Sequence, residues 1–171
     1  VLLVEMKLAP APDTGQNLWL FTPANTADRT NSLIWGIGGA VLAARFMLER
    51  TAEPVWRRMA LDMADDLWSR WTWNEAAGCY LWRQNLYGEV ACQLGALHGF
   101  AGNAFALLKV EDLLLADRQA ELHRRIAETL RATALRDGAM VNWPFEAGGQ
   151  AHPGSAALRV RNELAIGPGA A

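Results

Sequence analysis

Apolar positions along this chain fall into two alternating kinds of segment. "IWGIGGAVLAARFML" (34–48) is apolar nearly all round. It is followed by a segment in which Trp56, Met59, Ala60, Met63, Leu67 and Trp71 recur at helical spacing, while Arg57, Arg58, Asp62, Asp65, Asp66 and Arg70 fill the opposite face. Pro54 suits the first turn of that second helix. The order then recurs. "LGALHGFAGNAFALL" (94–108) is a second apolar run, and after it Leu122, Ile126, Ala127 and Leu130 form the stripe of an amphipathic helix. Asp117 offers that helix an N-cap and Gly138 a stop. Each pair thus combines a helix patterned for burial with one patterned for a half-solvated outer layer.

The pairs are copies of each other. Trp19 and Trp82 stand 63 positions apart, as do Gly36 and Gly99, and the same offset carries Gly39 onto Gly102, Met59 onto Leu122 and Leu67 onto Leu130. Both copies open their apolar run with G-x-x-G, where small residues let a helix and a neighbouring segment approach closely. "YLW" (80–82) is echoed by "VNW" (141–143). The repeats span about 17–78 and 80–140, and a third begins within 141–171. Hairpins of this kind cannot bury their inner helices singly, so the expectation is one domain over 1–171: an all-α, α/α toroid with an inner and an outer helix layer, incomplete in this chain. An incomplete ring would leave inner apolar helices open to self-association.

Composition narrows the function classes. Lys and Arg number 16 against 18 Asp and Glu, a net charge of −2, with no basic stripe, which argues against nucleic acid. No apolar run reaches the length of a membrane span, and "VLLVEMKLAPAP" lacks the pattern of a signal peptide, so a cytoplasmic location is expected. The start at Val1 and the stop at "AIGPGAA" lead to the expectation of a piece of a longer protein.

Among three histidines, His98 stands out because the first repeat carries Trp35 at the equivalent position, so the repeat does not itself need histidine there. His98 is either a reagent or a capping or core residue with its nitrogens satisfied. Cys79 and Cys92 are expected as reduced thiols, and with His98, His123 and His152 they show no convergent metal-ligand spacing. Glu75, Glu89 and Glu146, in loops between helices, together with eight tryptophans, keep open an α/α-barrel carbohydrate-active enzyme of glycosidase or epimerase type. A third alternative is a non-catalytic helical-repeat module that binds a peptide or glutathione.

"LGALHGFAGNAFALL", with "IWGIGGAVLAARFML" and "MVNWPFE", resembles the lanthionine synthetase C-like family in its H-G-x-x-G helix start. The resemblance covers about Trp19 to Trp143. It implies an α/α toroid and an activity in which a thiol, from a peptide or a small molecule, adds to a dehydrated serine or threonine to form a thioether. It implies a zinc, held by two cysteines and one histidine, that activates the thiol. To His98 it assigns protonation of the resulting enolate. The W-C-x-G and C-H-G segments that would hold the zinc do not occur, and "NELAIGPG" puts Leu164, Ala165 and Ile166 where Cys, His and Gly would stand. Zinc is therefore expected for the family and not for this chain alone, as in a truncated or metal-free relative. Asn31 and Ser32 occupy the place of an assisting acid, with Asp28 the nearest carboxylate.

Overall fold

The computed structural model describes residues 31–34, 36–86, 89–137 and 139–147. Helix α1 (Ile37–Thr51) begins at Gly36, which is extended, and ends where Ala52 turns left-handed and its amide returns to Leu48 O at 2.9 Å. Two residues later Pro54 opens α2 (Pro54–Ser69), so short a connection that the helices must lie antiparallel. α2 buries Trp56, Met59, Ala60, Ala64 and Leu67 and leaves Arg57, Arg58, Asp62 and Asp65 exposed. The second pair is α3 (Phe100–Leu108), a short 3-10 turn (Glu111–Leu113) and α4 (Ala116–Thr133). α3 is the shorter counterpart of α1, and α4 is buried chiefly through Leu122, with Ile126 and Leu130 packed at the margin of the core.

Three antiparallel hairpins accompany the helices: β1 (Trp71–Asn74) with β2 (Cys79–Trp82), β3 (Gln84–Leu86) with β4 (Glu89–Ala91), and β5 (Leu135–Asp137) with β6 (Met140–Asn142). They correct the expected all-α toroid: the described residues form a small domain of mixed helix and strand. The physical reason lies in "WTWNEAAGCYLW", two runs of aromatic and β-branched residues separated by a turn. Asn74 organises that turn by accepting from Ala77 N through its side chain at 3.0 Å and from Gly78 N through its carbonyl at 2.9 Å. Gly78 there has φ +62°. Trp71, counted above on the helical stripe of α2, is instead the first residue of β1. Asp117 is not an N-cap either: Leu115 holds that position, and the Asp117 carboxylate accepts from Arg118 N within the first turn. Gly138, Trp19 and Trp35 lie outside the described residues, as do the residues after Ala147 in which a third repeat is expected to continue.

The core sits where the hairpins meet the helices. Trp71 and Trp82 are cross-strand partners whose rings stack at 4.3 Å with 11° between their planes, and Trp68 meets Trp71 edge-on at 5.6 Å. Phe100, Leu81, Leu94 and Leu107 close around them. Each fully buried side chain of this size contributes about 1.5–3 kcal/mol by leaving water.

Equivalent contacts recur in the second helix pair. Trp82 Nε1 donates to Leu67 O at 2.8 Å, and Trp143 Nε1 donates to Leu130 O at 2.9 Å. The tryptophans are 61 rather than 63 apart because the β5–β6 turn is two residues shorter than the β1–β2 turn. A Cβ on Gly39 would overlap the carbonyl oxygen of Leu33, and one on Gly102 would overlap that of Ala96, again 63 positions on. Backbone cannot retreat from such an overlap as a flexible side chain can. Gly39→Ala and Gly102→Ala are each expected to lower stability by about 1–3 kcal/mol or more, read as a reduced urea midpoint at unchanged slope.

Candidate functional site

His98 lies in the tight loop that leads into α3. That loop is held by Gly99 N to Gly95 O at 3.0 Å, Phe100 N to Gln93 O at 2.9 Å and Ala101 N to Leu94 O at 3.1 Å. It is anchored from the segment after β6 by Leu94 N to Phe145 O at 2.8 Å and Ala147 N to Cys92 O at 2.9 Å. The equivalent loop of the first repeat packs directly on it. Leu33 N donates to Leu97 O at 3.0 Å, and the buried Ser32 hydroxyl donates to the same carbonyl at 3.1 Å. Ser32 Oγ also accepts from Ile34 N at 3.1 Å and lies 3.0 Å from His98 Nδ1.

A hydroxyl has one proton and two acceptor sites. The Ser32 hydroxyl can give its single proton to Leu97 O or to Nδ1, and when Leu97 O takes it the oxygen is left to accept from a protonated Nδ1. This arrangement suits the neutral ring and the imidazolium alike. The half-buried His98 ring is thereby oriented by a residue of the other repeat. Sequence reasoning noted Ser32 only as standing where an acid was looked for; the 63-residue offset places 32 and 98 in equivalent loops but does not show that those loops touch.

Buried amides surround the joint between the two loops. Asn31 Nδ2 donates to Arg83 O at 3.0 Å. Asn31 Oδ1, both side-chain atoms of Gln84 and both of Asn103 are buried without a hydrogen-bond partner among the described residues. Asn103 and Asn31 both flank Gly38: a Cβ there would lie 3.0 Å from Asn103 Oδ1 and 3.5 Å from Asn31 O. Polar atoms held this way cost about 1–3 kcal/mol each.

The other chemistry-bearing residues are dispersed. Cys79 and Cys92 are free thiols, both buried, and burial pushes both pKa values up, away from the reactive thiolate. Cys92 Sγ receives Asn74 Nδ2 at 3.6 Å. His123, on α4, lies with Nε2 2.6 Å from Glu111 Oε1 on an exposed surface. His152 and Asp28 lie outside the described residues, as do Leu164, Ala165, Ile166, Pro168 and Gly169. Among the described residues no group of three or more His, Cys, Asp and Glu side chains is arranged to hold a metal.

Glu75, Glu89 and Glu146 belong to the β1–β2 turn, to β4 and to the return segment that bridges to Gln93. Of the tryptophans, Trp56, Trp71 and Trp82 are core residues, while Trp73 is 47% exposed. Trp73 borders an open groove of about 510 Å³ with Tyr80, Arg124, Glu128 and Arg131. Its one carboxylate, Glu128, is paired with Arg124, so the groove does not offer the two carboxylates that glycoside hydrolysis uses. Among the described residues no helix is long and apolar enough to cross a membrane.

Comparisons with protein-family models, with curated proteins and with solved structures give no match to this chain.

Two substitutions separate the bonded hydroxyl from the unpartnered amide. Ser32→Ala leaves Ile34 N without its acceptor and should cost about 1–3 kcal/mol. Asn103→Ala, which removes more atoms, should change stability by less than about 1 kcal/mol, because losing two unpartnered polar atoms offsets the cavity. Urea unfolding of the two variants checks the order; equal losses would contradict it.

Proposed function

We propose that His98 serves as the proton donor in a thioether-forming addition, in which a peptide or small-molecule thiol adds to a dehydrated serine or threonine residue of a peptide. This is the reaction of the lanthionine synthetase C-like family that "LGALHGFAGN" resembles. The observation that carries the reading is the hydrogen bond between Ser32 Oγ and His98 Nδ1 across the two repeat loops. It orients an imidazole at a helix start where the first repeat has Trp35.

In the reaction a thiolate forms the S–Cβ bond, and the C=C π pair moves onto Cα and the adjoining carbonyl as an enolate. An imidazolium then gives its proton to Cα, and the ring, left neutral, regains a proton from the medium, which has received the one lost by the thiol. Histidine suits this role because its charge changes near neutral pH. Ser32 acts as a positioning residue.

The zinc of the family is not fitted by the described residues. Cys79 and Cys92 lie in buried strand and loop positions, and His98 is engaged by Ser32. Thiolate formation is therefore not assigned to them, and no step is routed through a metal.

The test uses the chain with glutathione and a dehydroalanine-containing peptide, following both the rate and the Cα configuration of the adduct. A fixed donor protonates one face, so the wild type should accelerate the addition and give one epimer in excess. His98→Asn should slow it by about 10²–10⁴-fold and bring the epimers toward equality. A folded His98→Asn protein with wild-type rate and epimer ratio would remove the assignment.

A further inference from the structure

The first repeat seats on the second through a small set of positions. Leu33 N donates to Leu97 O, and Leu33 Cβ lies 3.2 Å from where a Gly102 Cβ would be. Gly38 lies against Asn103 Oδ1, and Arg45 Nη1 donates to both carboxylate oxygens of Asp112 at 2.9 Å. Moving 63 positions along the chain carries Leu33, Gly38 and Arg45 onto Ala96, Ala101 and Leu108, with Phe105 in the place of Leu42. In the second repeat these positions face outward: Phe105 is 47% and Leu108 39% exposed, Ala96 is exposed and Ala101 half-buried. Ala101, Phe105 and Leu108 stand at i, i+4 and i+7 on one face of α3. This apolar stripe is the image, under the internal repeat, of a joint the chain already makes once.

The receiving side has an image too. Gly102 and Asp112, which accept the first repeat, correspond to Gly39 and Glu49. From Gly39 an edge of α1 runs through Ala43 to Phe46, which is 54% exposed. The two edges are built alike: Lys109 lies over the Phe105 ring at 5.3 Å and Arg50 over the Phe46 ring at 5.2 Å.

We propose that a second copy of this chain seats the Gly39–Phe46 edge of its first repeat on the Ala96–Leu108 stripe of the second repeat, head to tail. The occupant is another copy because the joint repeats one this chain makes within itself: a glycine at the point of closest approach, with Phe105 and Leu108 of the second repeat standing where Leu42 and Arg45 stand in the first. Leu108 in the place of Arg45 removes the ionic pair of the internal joint and leaves an apolar side chain at the Glu49 end of the edge. Two different edges meet in it, so the association is heterologous and grows past a dimer, into a closed ring or an open chain.

The test is sedimentation equilibrium of the 171-residue chain from micromolar to millimolar concentration, with Phe105→Asp and Phe46→Asp variants whose folding is checked by circular dichroism. The wild type should grow in mass with concentration. Each variant, keeping one good edge and losing the other, should remain a monomer alone, and an equimolar mixture of the two should form a dimer that grows no further. A monomeric wild type at all concentrations, whether the stripe is open or covered by another part of the chain, would overturn the proposal. So would self-association of Phe46→Asp alone, which would mean that two α3 stripes meet face to face.

Discussion

Each repeat depends on a carbonyl oxygen lodged against a helical glycine: Leu33 O on Gly39 and Ala96 O on Gly102. The contact leaves no room for a Cβ, and it folds the segments before α1 and α3 back along those helices. Everything at the candidate site follows from this. Because 31–34 is folded back, Leu33 N and Ser32 Oγ reach the Leu97 carbonyl, and because 94–97 is folded back, that carbonyl and the His98 ring lie within their reach. A small side-chain change at either glycine would therefore act on the site through the backbone, without touching histidine or serine.

Around this joint the tryptophans do structural work that their number alone did not reveal. Trp71 and Trp82 stack inside the first hairpin and tie it to α2 through Trp82 Nε1. Trp143, just after β6, makes the same tie from the β5–β6 hairpin to α4, with a turn two residues shorter. The β1–β2 hairpin thus lies between the two helix pairs, bonded to α2 through Trp82 and to α4 through Thr129 Oγ1 to Tyr80 O at 2.9 Å, and the pairs also meet through α1, α3 and the loops before them. Arg125 adds a clamp on the outside: its guanidinium lies 4.0 Å from the Tyr80 ring centroid, pairs with Glu121 and reaches Trp71 O at 3.2 Å.

The helices were legible because burial of one face imposes a period near 3.6, and the 63-residue offset was legible because equivalent contacts demand equivalent residues. The strands were not, since β1 and β2 are four residues each, too short to establish an alternation, and Trp71 continued the helical spacing of Trp56, Met63 and Leu67 by coincidence. What marked them was residue type: Thr72, Trp73 and Tyr80 beside an Asn-led turn that ends in glycine. Asp117 illustrates a similar limit. It has the right chemistry for an N-cap, yet the extended residue is Leu115, fixed by the 3-10 turn before it. At the site, His98 could be singled out by comparison with Trp35, whereas Ser32 as its partner required knowing which face of one repeat meets the other.

The central claim is that the loop before α1 is locked onto the loop before α3, and the Leu33 amide reports on it directly. Leu33 lies outside any helix or strand, and its amide is bonded to Leu97 O at 3.0 Å. Native-state hydrogen exchange should give this amide an opening free energy equal to that of global unfolding, alongside the core amides of α1 and α3. Exchange of Leu33 at the rate of an unstructured loop, while those helices remain protected, would contradict the account.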